Sequence, residues 1–249
     1  MEQSAAGKIA VVTGGNRGMG FETCRQLARR GARVVLTSRD PAKGEAAAGR
    51  LQGDGLHVRH HQLDVADDAS IGRLAEFVRT EFGRLDILVN NAGIVRGQDE
   101  PRQRAMQTFE ATPAGVREVL ATNLIGPFLL CQALIPLMEG RGRVVNVSSG
   151  MGQLSDMGGG FPAYRMSKAG LNALTRIFAS SPAPGSRSTP CARGGCAPTW
   201  AGPARRVRSR RAWRRPCGSR PCRTTARAAA CSATRSRSHG EAGERSGAR

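Results

Sequence analysis

Short apolar runs alternate with amphipathic stretches along the first 179 residues, and that alternation predicts the elements. Lys8 to Val12 is a β-branched run that stops at Thr13-Gly14-Gly15, and the apolar positions from Met19 to Arg30 then recur at helical spacing. This reads as strand, glycine turn, helix. The same rhythm gives strands over Arg33 to Thr37, His57 to Leu63, Ile87 to Val89 and Arg143 to Val147. Helices are predicted over Pro41 to Leu51 and Ile71 to Phe82, with a long helical region from Val116 to Met138 and a last helix over Tyr164 to Phe178. Regular alternation of short strands with longer helices marks a parallel sheet covered on both faces. The expected fold class is α/β, a doubly wound parallel sheet of Rossmann type.

The rhythm ends after Ala179. Residues 180–249 hold 16 Arg and no Lys against two Glu, so most of the formal net charge of +19 sits there. They contain no Leu, Ile, Phe, Met or Tyr and one Val, Val207, which leaves too little apolar surface to offset the entropy of ordering the backbone. Disorder is the expectation for this Arg/Pro/Cys-rich tail. The cysteines divide at the same place: Cys24 and Cys131 lie among apolar residues, as reduced core residues do, while Cys191, Cys196, Cys217, Cys222 and Cys231 fall in the tail. The tail spacings lack Cys-x-x-Cys pairs and its one histidine is His239, so no metal site is expected. With no leader signal at the N-terminus and no apolar run of spanning length, a soluble cytoplasmic protein without membrane partners is expected.

Candidate chemistry begins at the first turn, Thr13-Gly14-Gly15-Asn16-Arg17-Gly18-Met19-Gly20. Placed between a strand and a helix, it would bring a pyrophosphate to the helix's free N–H groups and positive dipole end. The spacing of Gly14, Gly18 and Gly20 is G-x-x-x-G-x-G rather than G-x-G-x-x-G. At the end of the second strand an NAD site carries a carboxylate for the ribose hydroxyls, but this chain reads Thr37-Ser38-Arg39. Arg39 and Arg17 offer two guanidinium groups for a 2′-phosphate, which favours NADP(H) over NAD(H). The plain alternative is that both are solvated arginines of a basic protein.

Tyr164-Arg165-Met166-Ser167-Lys168 sets a phenol and an ammonium four residues apart on one helix face. A nearby ammonium favours the phenolate, which makes tyrosine a usable acid–base group at neutral pH. Such a pair alone is usually surface decoration. Beside it stand Asn90-Asn91-Ala92-Gly93 at the end of the fourth strand, Asn123 in the long helical region, and Asn146-Val147-Ser148-Ser149 at the end of the fifth strand. With these five motifs in order, the chain from about Lys8 to Ala179 resembles the short-chain dehydrogenase/reductase family, within it the carbonyl-reductase-like members.

The resemblance implies roles. Ser149 would hold the substrate carbonyl oxygen, with Ser148 as the neighbouring alternative, and Tyr164 would protonate that oxygen as hydride arrives from the nicotinamide. Lys168 would tune Tyr164 and bind the nicotinamide ribose, and Asn123 would orient a water relaying protons to Lys168. Gly14, Asn16, Arg17, Gly18, Met19, Gly20 and Arg39 would hold the phosphates, Asp64 the adenine, and Asn91 with Gly93 the inner wall. The implied activity is NADP-dependent reduction of a ketone, aldehyde or quinone to an alcohol. Homo-oligomers through the helices that carry Asn123 and Lys168 are also implied.

After the Tyr-Lys helix such enzymes continue with a sixth strand, a Pro-Gly turn, a substrate lid and a seventh strand. This chain instead runs Ser180-Ser181-Pro182-Ala183-Pro184-Gly185. With GC-rich codons assigned to Ala179 through Trp200, reading two bases later yields ELARARIKVNAVCPGWLRTDM. That string holds the missing strand, the Pro-Gly turn and the Thr-Asp that opens the lid. The first base of each shifted codon is largely free, whereas the second and third are mostly dictated by the sequence. Residues 1–179 therefore read as an incomplete NADP-binding and catalytic domain, and residues 180–249 as a frameshifted tail. An uncovered sheet edge and a missing lid would leave weak activity or none. The alternative function is an inactive reductase remnant whose runs, such as Arg205-Arg206-Val207-Arg208, bind nucleic acid non-specifically and in a salt-sensitive manner.

Overall fold

The computed structural model describes residues 4–181. Five parallel strands form one sheet in the order β3-β2-β1-β4-β5: β1 is Ile9–Val12, β2 Arg33–Ser38, β3 Val58–Gln62, β4 Ile87–Asn90 and β5 Arg143–Asn146. The order reverses at β1, which pairs with β2 on one side and β4 on the other. That reversal is the switch point of a doubly wound sheet, where the connections leaving β1 and β4 diverge and open a crevice at the strands' carboxyl ends.

Helices α1 (Gly18–Arg29), α2 (Pro41–Gly53) and α3 (Asp68–Phe82) follow the first three strands. Each begins where its sequence allows. Asp40 caps α2 by accepting from the Lys43 amide, with Pro41 in the first turn, and Asp67 caps α3 by accepting from Ala69. Helix α3 ends on Gly83, whose φ of 68° closes the last turn in the left-handed region. The sheet separates two apolar layers. Val11, Val35 and Leu88 face one with Leu74, Val78, Leu130, Leu134 and Leu171, while Ala10, Val12, Val34 and Leu36 face the other with Cys24, Ala28 and Leu51.

Helix α4 (Arg102–Met106) is short, and α7 (Pro162–Ser180) ends the described region. Between them the long helical region is interrupted: α5 (Pro113–Leu120), a π-helical turn (Ala121–Ile125), α6 (Gly126–Leu134) and a 3₁₀ turn (Ile135–Met138). Two prolines account for the breaks. Pro127 has no N–H for the Asn123 carbonyl four residues back, and Pro136 has none for Gln132. One expectation needs correcting, because by length and composition the run Pro113–Met138 is apolar enough to cross a membrane. In the fold its Val119, Leu130 and Leu134 are buried in the core, while Ile125 and Phe128 are exposed.

The disorder expected of residues 180–249 concerns positions almost wholly outside the described residues. The last helix itself runs to Ser180.

Candidate active site

The turn after β1 opens a cleft of about 530 Å³ at the carboxyl ends of β1, β2 and β4. Gly14, Asn16, Arg17, Gly18, Met19, Gly20, Arg39, Asp64, Asn91 and Gly93, all singled out from the sequence, line it together. Gly14 and Gly18 have φ of 64° and 57°, a conformation that side-chain-bearing residues resist. At Gly20 a Cβ would overlap the Gly14 carbonyl and the Asn91 amide, so the helix start sits as close to the turn as a bare backbone permits. This is a cradle suited to a phosphate chain.

Two side chains hold the cradle in shape. Asn91 Nδ2 donates to the carbonyls of Thr13 (2.8 Å) and Gly14 (3.2 Å), while Thr13 Oγ1 accepts from the amides of Asn91 and Ala92, both at 2.9 Å. Both amide hydrogens of Asn91 are thus spent on the turn, and it acts as a brace for the inner wall. Asp64 Oδ1 accepts from the Ala66 amide at 3.0 Å and fixes its own turn at the opposite wall. Sequence reasoning missed Lys43, which also lines the cleft. Its signal was available in the capped first turn of α2, where Lys43 Nζ lies 2.9 Å from Asp40 Oδ2.

The residues expected to handle the proton stand just after β5, on α7 and in the π-helical turn. Tyr164 falls in the first turn of α7 and Lys168 one turn on, with the Lys168 ammonium 5.6 Å from the centre of the Tyr164 ring. Lys168 is buried at 5% exposure, and its Nζ donates to the Val147 carbonyl at 2.7 Å. Burial pushes its pKa below the ordinary lysine value. Ser149 caps the 3₁₀ turn Gly150–Gly152, its Oγ accepting from the Met151 amide at 3.2 Å. Ser148 instead directs its hydroxyl toward the Lys168 carbonyl, at 3.5 Å.

Asn123 is fully buried at the π-helical turn. Its Oδ1 accepts from the Ile94 amide at 2.8 Å, and its Nδ2 donates to the Ile94 carbonyl at 2.7 Å and to Ser167 Oγ at 3.1 Å. The side chain therefore pins the segment after β4 to α7. Gly93 joins the two halves of the site, since a Cβ there would lie 3.2 Å from Asn123 Oδ1 and 3.7 Å from Lys168 Nζ.

A doubly wound sheet with a glycine-cradled cleft at its switch point defines an α/β protein of Rossmann type. Residues 8–186 match the short chain dehydrogenase family, and the chain belongs to it, a family of oxidoreductases. It is 47% identical over 170 residues to (+)-neomenthol dehydrogenase of Arabidopsis thaliana, covering 60% of this chain and 56% of that one. With carbonyl reductase 3 (NADPH) of Mus musculus it shares 45% identity over 147 residues, covering 59% and 50%. The chain thus spans about half the length of the curated relatives it matches. A crystal structure of a metagenomic short-chain oxidoreductase in complex with NADP superposes with a TM-score of 0.63 at 36% identity, covering 71% of this chain and 77% of that one.

Proposed function

We propose that this chain is built as an NADP(H)-dependent reductase of a small ketone, aldehyde or quinone, and that it works in the cytoplasm. The observation that carries the reading is the junction at Gly93, which sets the glycine-cradled cleft directly against Asn123 and Lys168. Arg17, Arg39 and Lys43 supply positive charge at the cleft, as a 2′-phosphate requires. Relatives named as NADPH carbonyl reductases and a structural neighbour holding NADP support the same choice of cofactor.

When bound, NADPH supplies hydride to the substrate carbon. The chain's own groups manage the oxygen. Ser149 Oγ already accepts from Met151, so its hydroxyl hydrogen is left to donate to the substrate oxygen. Tyr164 is the acid that protonates that oxygen, and Lys168, one turn along, favours its phenolate once the proton has gone. The Asn123 side chain has no amide hydrogen to spare, so a proton-relaying water would fall to its main-chain carbonyl, to which Pro127 offers no N–H four residues on.

The test is NADPH oxidation against a panel of small carbonyls, by the full chain and by the same chain carried past Ala179 in the other frame. Tyr164→Phe should lower turnover by about 10²- to 10⁴-fold while leaving NADPH binding intact. Turnover that survives the substitution would sink the assignment.

A second proposal concerns the end of the chain. Val145 in β5, the edge strand among the described residues, is 49% exposed and Ile177 of α7 62% exposed, apolar positions that a sixth strand and its helix would cover. We infer that residues 180–249 are read from a shifted frame, and that the domain over residues 1–179 is incomplete without the strand and lid encoded in the other frame. On that reading this exact chain has weak activity or none, and its arginines bind polyanions without sequence preference.

A further inference from the structure

We propose that His60 is a positioning residue for cofactor choice, holding with Gln62 and Gly44 the Ser38–Asp40 turn that presents Arg39 and Lys43 to the cleft. The inference rests on the NADP(H) reading above.

His60 and Gln62 lie two residues apart in β3 and so share one face, with Gln62 opposite Ser38 in the parallel register. His60 Nε2 is 3.1 Å from Ser38 Oγ, and Ser38 Oγ is 2.7 Å from the Asp40 carbonyl. A hydroxyl has one hydrogen, and the carbonyl can only accept, so Ser38 donates to Asp40 and His60 must donate to Ser38. The imidazole therefore carries its hydrogen on Nε2. Burial pushes the His60 pKa below its ordinary value, against an opposing pull from Glu45, which keeps this neutral form at neutral pH.

The rest of the turn is accounted for in the same way. The Ser38 carbonyl accepts from the Leu63 amide at 2.9 Å, and the Arg39 carbonyl from Gln62 Nε2 at 3.3 Å. Each of the three main-chain carbonyls from residue 38 to residue 40 is thus held by a named donor. Gly44 closes the device from the helix side, because a Cβ there would overlap both the His60 imidazole and the Ser38 hydroxyl. Ser38, Arg39, Asp40 and Lys43 line the cleft, whereas His60 and Gln62 do not. His60 therefore acts through the turn. The turn faces the end of the cleft where NADPH and NADH differ, so a loosened turn costs affinity for the phosphorylated cofactor alone.

The test measures Kd for NADPH and for NADH on the full chain, together with Tm. His60→Phe keeps the ring and loses the donor; it should weaken NADPH about fivefold, the worth of one hydrogen bond, and leave NADH nearly unchanged. His60→Gln restores a donor at similar reach and should recover most of that loss. Ser38→Ala should weaken NADPH as His60→Phe does, and combining the two should add nothing further. Equal losses for both cofactors, no loss in either, no recovery with glutamine, or additive effects in the double variant would each overturn the inference. Should His60→Phe not fold, Ser38→Ala and His60→Gln still decide it by the NADPH-to-NADH ratio. A wild-type chain that binds neither nucleotide overturns the cofactor reading itself, and this inference with it.

Discussion

At the scale of single residues, the cleft is shaped by what its glycines lack. Gly20→Ala would force a methyl into the Gly14 carbonyl and the Asn91 amide, and packing strain of this kind costs about 1–3 kcal/mol. The expected outcome is a lower Tm together with weaker NADPH binding; a variant as stable as the parent would contradict the cradle as described. Cys24 and Cys131 are buried, and burial pushes their thiols up to about 12 and about 11. Since only the thiolate alkylates, both should resist iodoacetamide at pH 8 until the domain is unfolded, which peptide mapping would show. The glycine spacing and the Tyr164–Lys168 pair were legible because each is local, fixed by a turn or by the helix repeat. The Gly44–His60 contact was not, since which strand face meets which helix position is decided only when the layers pack.

At the scale of elements, the long helical region carries the lesson. Its apolar periodicity reads as one helix from Val116 to Met138, and the structure has four pieces there. Periodicity reports which face is buried and is blind to the hydrogen-bond ladder, whereas Pro127 and Pro136 were in plain view as residues without an N–H. Pro127→Ala should let residue 127 donate to Asn123, replace the π-helical turn with regular α-helix and withdraw that carbonyl from the site. We expect thermal stability to rise and turnover to fall; unchanged turnover with a rise in Tm would show that the Asn123 carbonyl has no part in proton transfer. Phe161 is a related case. It takes φ 47° immediately before Pro162, where the left-handed region is disfavoured, and so sets the direction in which α7 and Tyr164 begin. Phe161→Gly relieves that strain but gives up a partly buried ring, so the two effects should offset and leave unfolding stability within about 1 kcal/mol of the parent, measured by urea titration.

At the scale of the whole molecule, the doubly wound parallel sheet, with its reversal at β1, was anticipated as a class from the strand–helix rhythm, while the residue-by-residue register follows from pairing that no local pattern records. The charge split was legible at once, and it sets the first measurement on the gene. Sequencing the source DNA across the codons for Arg176 to Trp200 should return the shifted frame. If the frame that encodes the basic tail is confirmed instead, the proposal of a shifted frame fails and the arginines become a feature of this protein in their own right.

The junction at Gly93 also has a consequence in time. The cradle is built from residues up to Asn91, so its parts have all left the ribosome while α7 is still being made. Tyr164 and Lys168, the proposed acid and its partner, arrive last, on α7. A nascent chain paused before α7 should therefore already own a nucleotide pocket that still lacks its Tyr164–Lys168 pair, and the order of synthesis separates holding from reacting.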